Sequence, residues 1–121
     1  MKILFIEYPK CTTCQKAKKW LIENNIEYED RHIVEKNPTS KELGEWISRS
    51  GLPIKKFFNT SGILYREMNL KDKLDTMTDE EKIELLSTKG MLVKRPLVIG
   101  EKVILVGFDP NEWVKLKMNN K

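Results

Sequence analysis

The residues of this sequence best suited to chemistry are two cysteines, Cys11 and Cys14, separated by two threonines in the stretch YPKCTTCQKAKKW. Cysteines at this spacing have three ordinary uses. They form a redox-active pair, supply ligands to a metal site, or lie in the core as small apolar residues. The residues around them favour one of these uses over the others.

A metal site is the least favoured of the three. A structural zinc ion takes four ligands, most often cysteine and histidine, and the chain offers two cysteines and one histidine. That histidine, His32, lies in a strand-like stretch, and no carboxylates are spaced to complete a ligand set. We therefore expect no metal at the pair and no chemical role for His32.

Cys11 lies where an apolar run ends and a helical pattern begins. The first backbone N–H groups of a helix have no intrahelical partner, and together with the helix dipole they favour an anion such as a thiolate. Lys10 adds positive charge beside it. The sequence therefore predicts that Cys11 has a lowered pKa and is nucleophilic.

Cys14 follows about one helical turn later on the same face. A sulfur at that place can attack a mixed disulfide on Cys11 and release the product, which is the resolving step of thiol–disulfide exchange. A C-x-x-C pair beside a strand–helix–strand pattern is typical of redox proteins. The pair is thus predicted to be a nucleophile and its resolver.

A second segment, KRPLVIG, begins a strand with Arg95 and Pro96. The bond before a proline is the kind that can be cis, although a proline can also simply open an edge strand. If this strand lies beside Cys11, Arg95 can stabilise a thiolate or bind an oxyanion. A surface charge is the alternative for Arg95.

The elements that position these residues follow from the apolar pattern. KILFIE (2–7) predicts a strand, and a helix is predicted from Thr12, with Gln15 at capping-box spacing, to Asn24-Asn25. IEYEDRHI (26–33) predicts a second strand. Strand, helix and strand within some thirty residues indicate a βαβ unit.

The rest of the chain is predicted as a helical block followed by a return to strands. Residues 38–90 carry several short helical patterns, two of which open with capping boxes at Thr39 and Thr78. PLVIG-EKVIL predicts two strands joined by a type II′ turn at Gly100-Glu101. DPNEWVKLKM predicts a last helix capped by Asp109. The order predicts one mixed α/β domain.

Composition limits the class of function. The 121 residues carry a formal net charge of +4, with 40% hydrophobic and 33% charged residues, which is ordinary for a soluble globular domain. The sequence contains no block of five or six like charges, so its charge pattern does not indicate direct nucleic-acid binding. Neither a signal peptide nor a run approaching the about 20 apolar residues of a membrane span is present. We therefore predict a cytoplasmic protein with no membrane partner, in which a permanent disulfide is rare.

Several segments resemble the arsenate reductase-like (ArsC/Spx) family of the thioredoxin-fold superfamily. They are YPKCTTCQKAKKWL, FFNTSGILYRE (57–67), KGMLVKRPLVI (89–99) and VGF (106–108). The resemblance covers nearly the whole chain in the same order. It implies a thioredoxin/glutaredoxin-like mixed four-stranded sheet with a helical insertion at about 38–90, in a single domain over 1–121.

The resemblance also implies a site. Cys11 would be the redox-active cysteine, Pro96 a cis-proline facing it, and Arg95 an anion-binding arginine. The predicted site residues are Cys11, Cys14 and Arg95 for catalysis and Lys10, Thr12, Thr13 and Pro96 for substrate binding. No bound cofactor is expected, and an external thiol reductant, glutathione or a thioredoxin/glutaredoxin system, would reset the pair.

Two departures from the family bear on the substrate. Glutathione-dependent arsenate reductases resemble C-G-T-S at the active cysteine, whereas position 14 of this chain is cysteine. They also carry two further arginines that have no counterpart near Asn59 or Gly107. Because a tetrahedral oxyanion loses those charge-assisted partners, we predict a small-molecule or protein disulfide as the substrate in place of arsenate.

The regulator branch of the family provides an alternative function. Spx-like regulators use C-x-x-C as a redox switch and bind the C-terminal domain of the RNA polymerase α subunit, so the resemblance implies that partner as well. FFNTSGILYRE is more similar to the reductase-like branch and favours an enzyme. A domain that keeps the fold and has lost strong activity is a third possibility.

Overall fold

A four-stranded mixed sheet underlies the fold. The computed structural model describes residues 2–119, and its strands are β1 (Ile3–Glu7), β2 (Tyr28–His32), β3 (Leu97–Ile99) and β4 (Ile104–Val106). Their order is β2-β1-β3-β4. β1 pairs in parallel with β2 and antiparallel with β3, which pairs antiparallel with β4. The predicted mixed α/β sheet is confirmed.

The chain divides into two compact units. The sheet unit combines the residues up to His32 with those from Arg95 onward, and the helical unit is Ile33–Lys94. The helical unit corresponds to the insertion predicted at about 38–90. The single domain predicted over 1–121 stays a prediction.

The core of the sheet unit is formed by side chains from β1, α1 (Thr12–Glu23) and α6 (Pro110–Asn119). Trp113 of α6 is fully buried, and its indole N–H donates to the Gly107 carbonyl oxygen at 3.0 Å. Its ring packs edge-on against Phe5 and Trp20. The polar end of this large side chain is therefore satisfied inside an apolar cluster.

The N-cap of α1 lies one residue earlier than the sequence predicted. Its N-cap is Cys11, whose backbone is extended (φ −84°, ψ 121°) and whose sulfur accepts from the Cys14 N–H. The predicted Thr12–Gln15 capping box is wrong, because the Gln15 side chain donates instead to the Pro9 carbonyl at 3.0 Å. The helix ends at Asn24, as predicted.

The connection between β3 and β4 also differs from the prediction. Ile99 pairs with Ile104 and the Gly100 N–H donates to the Val103 carbonyl at 2.8 Å, so four residues join the strands. Gly100 is not in the left-handed region that a type II′ turn requires. The prediction of a two-residue turn at Gly100-Glu101 is therefore wrong. The longer connection sets the register that pairs Val98 with Leu105, both in the core.

The last helix of the sheet unit begins as its sequence predicted. The Asp109 carboxylate accepts from the Asn111 N–H at 3.0 Å, and Pro110 is the first residue of α6. An aspartate cap followed by proline suits a helix start because proline has no N–H to leave unsatisfied.

The helical unit contains α2 (Ser40–Ser50), α3 (Ile63–Glu67), α4 (Leu70–Lys73) and α5 (Asp79–Thr88). Short 3₁₀ turns at Ile54–Phe57, Leu74–Thr76 and Gly90–Leu92 join them. α2 and α5 pack against each other. Both predicted capping boxes are present, Thr39 with Glu42 and Thr78 with Glu81.

A charged cluster in the sheet unit connects α1 to β1 and β2. Glu7 at the end of β1 is only 2% exposed, and its carboxylate lies 2.7 Å from the Lys18 ammonium. The same ammonium lies 2.8 Å from the carboxylate of Asp30 on β2. Burial and a hydrogen bond with Asp30 raise the pKa of Glu7, and Lys18 opposes that rise. Lys18 therefore holds two carboxylates, one of them almost fully removed from water.

Among residues 2–119, no helix is both long enough and apolar enough to cross a membrane.

Candidate active site

Cys11 lies at the turn between β1 and α1, half-buried and unpaired. Its N–H donates to the Tyr8 carbonyl at 2.9 Å, and its own carbonyl accepts the N–H of Gln15 at 3.1 Å. The Cys14 N–H points at the Cys11 sulfur at 3.4 Å. The sulfur thus occupies the place of the N-cap side-chain acceptor, where a negative charge is favoured.

Several groups act on the protonation of Cys11. Burial by itself raises the pKa of this thiol, but the Cys14 backbone N–H, the Cys14 thiol and the charge and hydrogen bond of Arg95 lower it. The net effect is a pKa below the ordinary value of a cysteine. Cys11 therefore has the environment of a thiolate nucleophile.

Cys14 has the opposite environment. It is fully buried and unpaired. Burial raises its pKa to about 12, and the neighbouring Cys11 adds to the rise while the Tyr8 backbone and Arg95 oppose it. Two thiols in adjacent turns therefore differ in both exposure and acidity.

Arg95 is brought close to both cysteines. It lowers the pKa of each by its charge. Its Nε and Nη1 atoms are buried and, within the part of the chain that the structure describes, have no hydrogen-bond partner. Its Cζ lies 5.3 Å from the centroid of the Tyr8 ring. The alternative of a plain surface charge does not fit this placement.

The bond between Arg95 and Pro96 is cis. Pro96 is buried immediately before β3, and its carbonyl accepts the Gly107 N–H at 2.9 Å. This anchors the start of the segment that carries Arg95. The contact of Pro96 with a substrate stays a prediction.

Lys10, Thr12 and Thr13 are exposed on either side of Cys11. Their substrate-binding role stays a prediction.

Sequence reasoning gave no role to Tyr8, although it is the first residue of the YPKC segment. The structure puts its backbone against both cysteines and its ring against Arg95. His32 of β2 packs edge-on against the same ring, with centroids 5.8 Å apart. An aromatic residue three positions before a helix-capping cysteine was the available signal.

Within residues 2–119, no group of three or more histidine, cysteine, aspartate or glutamate side chains could hold a metal ion. The reactive groups that the structure brings together are the Cys11 thiol with a lowered pKa, the buried Cys14 thiol and the Arg95 guanidinium. Comparison with known proteins helps to decide whether these groups serve an enzyme or a regulator.

The profile of the ArsC family matches residues 6–116, which include every predicted site residue. The chain belongs to the ArsC family. The match takes in the sheet unit with the cysteine pair as well as the helical unit between its two parts.

The chain is similar to two proteins of Bacillus subtilis and to a regulator of Listeria innocua. YusI of Bacillus subtilis is 50% identical over 113 residues, covering 93% of this chain and 96% of YusI. The regulatory protein MgsR of Bacillus subtilis is 34% identical, covering 95% of this chain and 90% of MgsR. The global transcriptional regulator Spx of Listeria innocua is 29% identical over 86% of this chain and 78% of that protein.

Solved structures share the fold. A putative ArsC family related protein from Bacteroides fragilis is 66% identical with a TM-score of 0.93, covering 96% of this chain and 98% of that one. A possible arsenate reductase from Streptococcus mutans is 41% identical with a TM-score of 0.86, covering 93% and 97%. The fold of this chain is thus shared by a protein described as a possible arsenate reductase, while two relatives in sequence are described as regulators.

The two positions at which arsenate-reductase arginines were sought in the sequence have different settings. Asn59 belongs to the helical unit, where its N–H donates to the Leu92 carbonyl at 2.7 Å. Gly107 belongs to the sheet unit and has a φ of +77°. An arginine at that position would need a left-handed backbone that side-chain-bearing residues adopt at a cost. At Gly107 the local backbone, and not the sequence alone, disfavours an arginine.

Proposed function

We propose that this ArsC-family protein is a thiol–disulfide oxidoreductase in which Cys11 is the nucleophile and Cys14 the resolving thiol. The observation that carries the proposal is the difference between the two thiols. One is half-exposed at a helix N-terminus with a lowered pKa, and the other is buried with a pKa of about 12. A nucleophile must ionise at neutral pH, whereas a resolver has to stay protected until a mixed disulfide is present.

The reaction has two exchange steps. The Cys11 thiolate attacks one sulfur of a substrate disulfide, so that a bond forms between Cys11 and that sulfur and the other substrate sulfur leaves as a thiolate. Cys14 then gives its proton to the substrate thiolate released in the first step and attacks the Cys11 sulfur. The Cys11–Cys14 disulfide forms and the second substrate thiolate leaves. Two electrons pass from the pair to the substrate, and an external dithiol or two thiols return them.

Arg95 is assigned two tasks in this scheme. It stabilises the Cys11 thiolate before attack, and its positive charge attracts an anionic group that arrives at the sulfur. Lys10, Thr12, Thr13 and Pro96 line the approach to Cys11 and contact the substrate.

A disulfide is proposed as the substrate in place of arsenate. Arg95 lies at the cysteine pair, but position 59 is asparagine and position 107 is a left-handed glycine. One guanidinium suits a single negative charge better than a tetrahedral oxyanion, which takes several charge-assisted donors. The external reductant is proposed to be glutathione or a thioredoxin/glutaredoxin system of a reducing cytoplasm.

The proposal is tested by turnover. The reduced protein is mixed at low concentration with an excess of a fluorogenic disulfide and with dithiothreitol as reductant. Many substrate molecules are expected to be reduced per chain, faster than by dithiothreitol alone. The control is protein whose thiols were first blocked with iodoacetamide, which should fall to the background rate. Equal rates for blocked and unblocked protein would contradict the proposal.

A second function is proposed on the likeness to MgsR and Spx, whose names describe regulators. In this alternative the Cys11–Cys14 disulfide changes a binding surface and no substrate is turned over. The partner that the sequence resemblance implies is the C-terminal domain of the RNA polymerase α subunit.

The alternative predicts saturable binding of that α-subunit domain with an affinity that changes at least several-fold between reduced and oxidised protein. Calorimetry with each redox form measures it, and the Cys11→Ser variant, which cannot form the disulfide, should bind equally under both conditions. Absence of binding in either redox state would remove this alternative and leave the enzyme proposal untouched.

A further inference from the structure

Tyr8 contacts every residue of the predicted catalytic set. Its carbonyl accepts the Cys11 N–H at 2.9 Å, and its backbone lies close enough to the Cys14 thiol to lower the pKa of that group. Its ring faces the guanidinium of Arg95, whose Cζ lies 5.3 Å from the ring centroid. Tyr8 thus meets the backbone of Cys11 through its carbonyl and the guanidinium of Arg95 through its ring.

The ring contact matters because of what Arg95 otherwise lacks. A buried guanidinium is usually fixed by paired hydrogen bonds to a carboxylate. Two of the three guanidinium nitrogens of Arg95, Nε and Nη1, are buried without a hydrogen-bond partner among the described residues. A cation over an aromatic face is attracted to the ring quadrupole within about 6 Å, and the Tyr8 ring meets that distance.

An aromatic face has an advantage over a carboxylate at this place. A carboxylate would orient Arg95 but would also cancel its charge, so that less of the charge would act on a nearby sulfur. A ring attracts the guanidinium without neutralising it and leaves its N–H groups available. Only the ring combines orientation with an undiminished positive charge.

We propose that Tyr8 is a positioning residue, which holds Arg95 beside Cys11 through the face of its ring and thereby keeps the sulfur ionised and reactive. The inference rests on Cys11 being the nucleophile of the proposed function, and it adds the residue that sets the reactivity of that sulfur. The other titratable neighbour of the ring is His32 on β2, which meets it edge-on.

The experiment measures the alkylation of Cys11 by iodoacetamide as a function of pH, with the modified residue located by mass spectrometry. Only the thiolate reacts, so the midpoint of the rate profile reports the pKa of Cys11 without any disulfide substrate. A failure of the enzyme proposal in turnover would therefore not affect this measurement.

Tyr8→Leu removes the aromatic face and is expected to move the midpoint upward by about one pH unit, since a partly buried cation–ring contact and a one-unit pKa shift are of similar size. Tyr8→Phe keeps the aromatic face and is expected to keep the wild-type rate profile. His32→Phe keeps an aromatic neighbour without a titrating group and is also expected to leave the midpoint in place.

A double-mutant cycle separates positioning from general damage. In an Arg95→Gln background, Tyr8→Leu should cause no further shift, because the ring would then have no charge to hold. If Tyr8→Leu does not fold, as judged by circular dichroism, Tyr8→Met fills a similar volume without an aromatic face and takes its place. The proposal is overturned if the folded variant keeps the wild-type midpoint, if Tyr8→Phe shifts it as far as Tyr8→Leu, or if the shift persists without Arg95.

Discussion

A Cys14→Ser variant is expected to remain covalently joined to half of its disulfide substrate through Cys11, with one adduct per chain. Wild-type protein, by contrast, is expected to release both halves and end with a Cys11–Cys14 disulfide. The difference arises because a serine hydroxyl does not attack a disulfide, so the second exchange step has no nucleophile. This is the largest chemical effect that the proposed function predicts for one substitution.

The first exchange step should survive the substitution. The hydrogen bond to the Cys11 sulfur comes from the backbone N–H of residue 14 at 3.4 Å, and that group is present whichever side chain it carries. The charge of Arg95 is also retained. Cys11 loses only the contribution of the Cys14 thiol to its lowered pKa, so the adduct should form at a rate close to that of the wild type.

The measurement uses a stoichiometric disulfide without added thiol, because an external thiol could release the adduct in place of Cys14. Intact-mass spectrometry follows the protein, and absorbance follows the released chromophore. Cys11→Ser is the matched control and should form neither adduct nor internal disulfide. Release of both substrate halves by Cys14→Ser at the wild-type rate would show that Cys14 is not the resolver.

The rate of adduct formation also has a predicted pH dependence. The pKa of Cys11 is lowered, so the thiolate fraction rises and saturates at a lower pH than for an unperturbed cysteine of about 8.5. The rate should therefore increase with pH and level off below that value. A profile still rising steeply above it would mean that the helix start and Arg95 do not activate Cys11.

The features that sequence predicted well are those fixed by local physics. Two capping boxes, the aspartate–proline start of α6 and the end of α1 depend on residues within one helical turn of each other. Three of the strands, β1, β3 and β4, follow from short apolar runs, and β2 follows from partial alternation in a polar stretch. Their mixed pairing follows from a βαβ unit next to a hairpin. Such signals lie within short windows of the chain.

The N-cap of α1 shows where local rules fail. Threonine is a much commoner cap than cysteine, and Thr12 has a glutamine at the right spacing, so the capping box was assigned there. In the structure the cap is Cys11 itself. An ionised sulfur is a good acceptor for the free N–H groups of the first turn, so the residue that departs from the capping preference is the candidate nucleophile.

Contacts between distant parts of the chain could not be derived from the pattern. The closeness of Arg95 to Cys11 was implied by the family resemblance, and the ring of Tyr8 beneath Arg95 was not foreseen at all. Glu7 is the last residue of the predicted strand KILFIE, and the apolar pattern gives no sign that this acid is nearly fully buried. Burial of a charge becomes predictable only when its partner, here Lys18 eleven positions later, is known to face it.

Lys18→Met is expected to lower the free energy of unfolding at pH 7 by about 3 kcal/mol, the low end of the about 3–5 kcal/mol for breaking a buried ion pair. The reason is that Glu7 would keep its burial and lose its counter-charge, with Oε1 already lacking a hydrogen-bond partner among the described residues. The low end applies because the Lys18 side chain is 34% exposed, so water already screens part of the interaction. Urea denaturation followed by tryptophan fluorescence measures the change.

The matched controls separate the loss of the ion pair from the loss of a lysine. Lys16→Met replaces an exposed lysine of the same helix and should change stability by no more than about 0.5 kcal/mol. A Glu7→Gln/Lys18→Met double variant removes both charges and should recover much of the loss, because a neutral amide is less costly to bury than a lone carboxylate. If the double variant is no more stable than Lys18→Met, the destabilisation comes from packing and not from the stranded charge.

The pH dependence of the stability of Lys18→Met provides an independent test of this explanation. The pKa of Glu7 is raised in the folded wild-type chain, and Lys18 opposes that rise. Removing Lys18 therefore raises the pKa of folded Glu7 further. In the variant, folded Glu7 binds its proton more tightly than unfolded Glu7 does. Lowering the pH therefore favours the folded state of the variant through this group. In the wild type, Asp30 has a lowered pKa and works in the opposite direction, losing its stabilising interaction as the pH falls. The stability gap between wild type and Lys18→Met should therefore narrow from pH 7 towards pH 4.5, and a gap that stays constant across that range would mean that Glu7 is not the group left uncompensated.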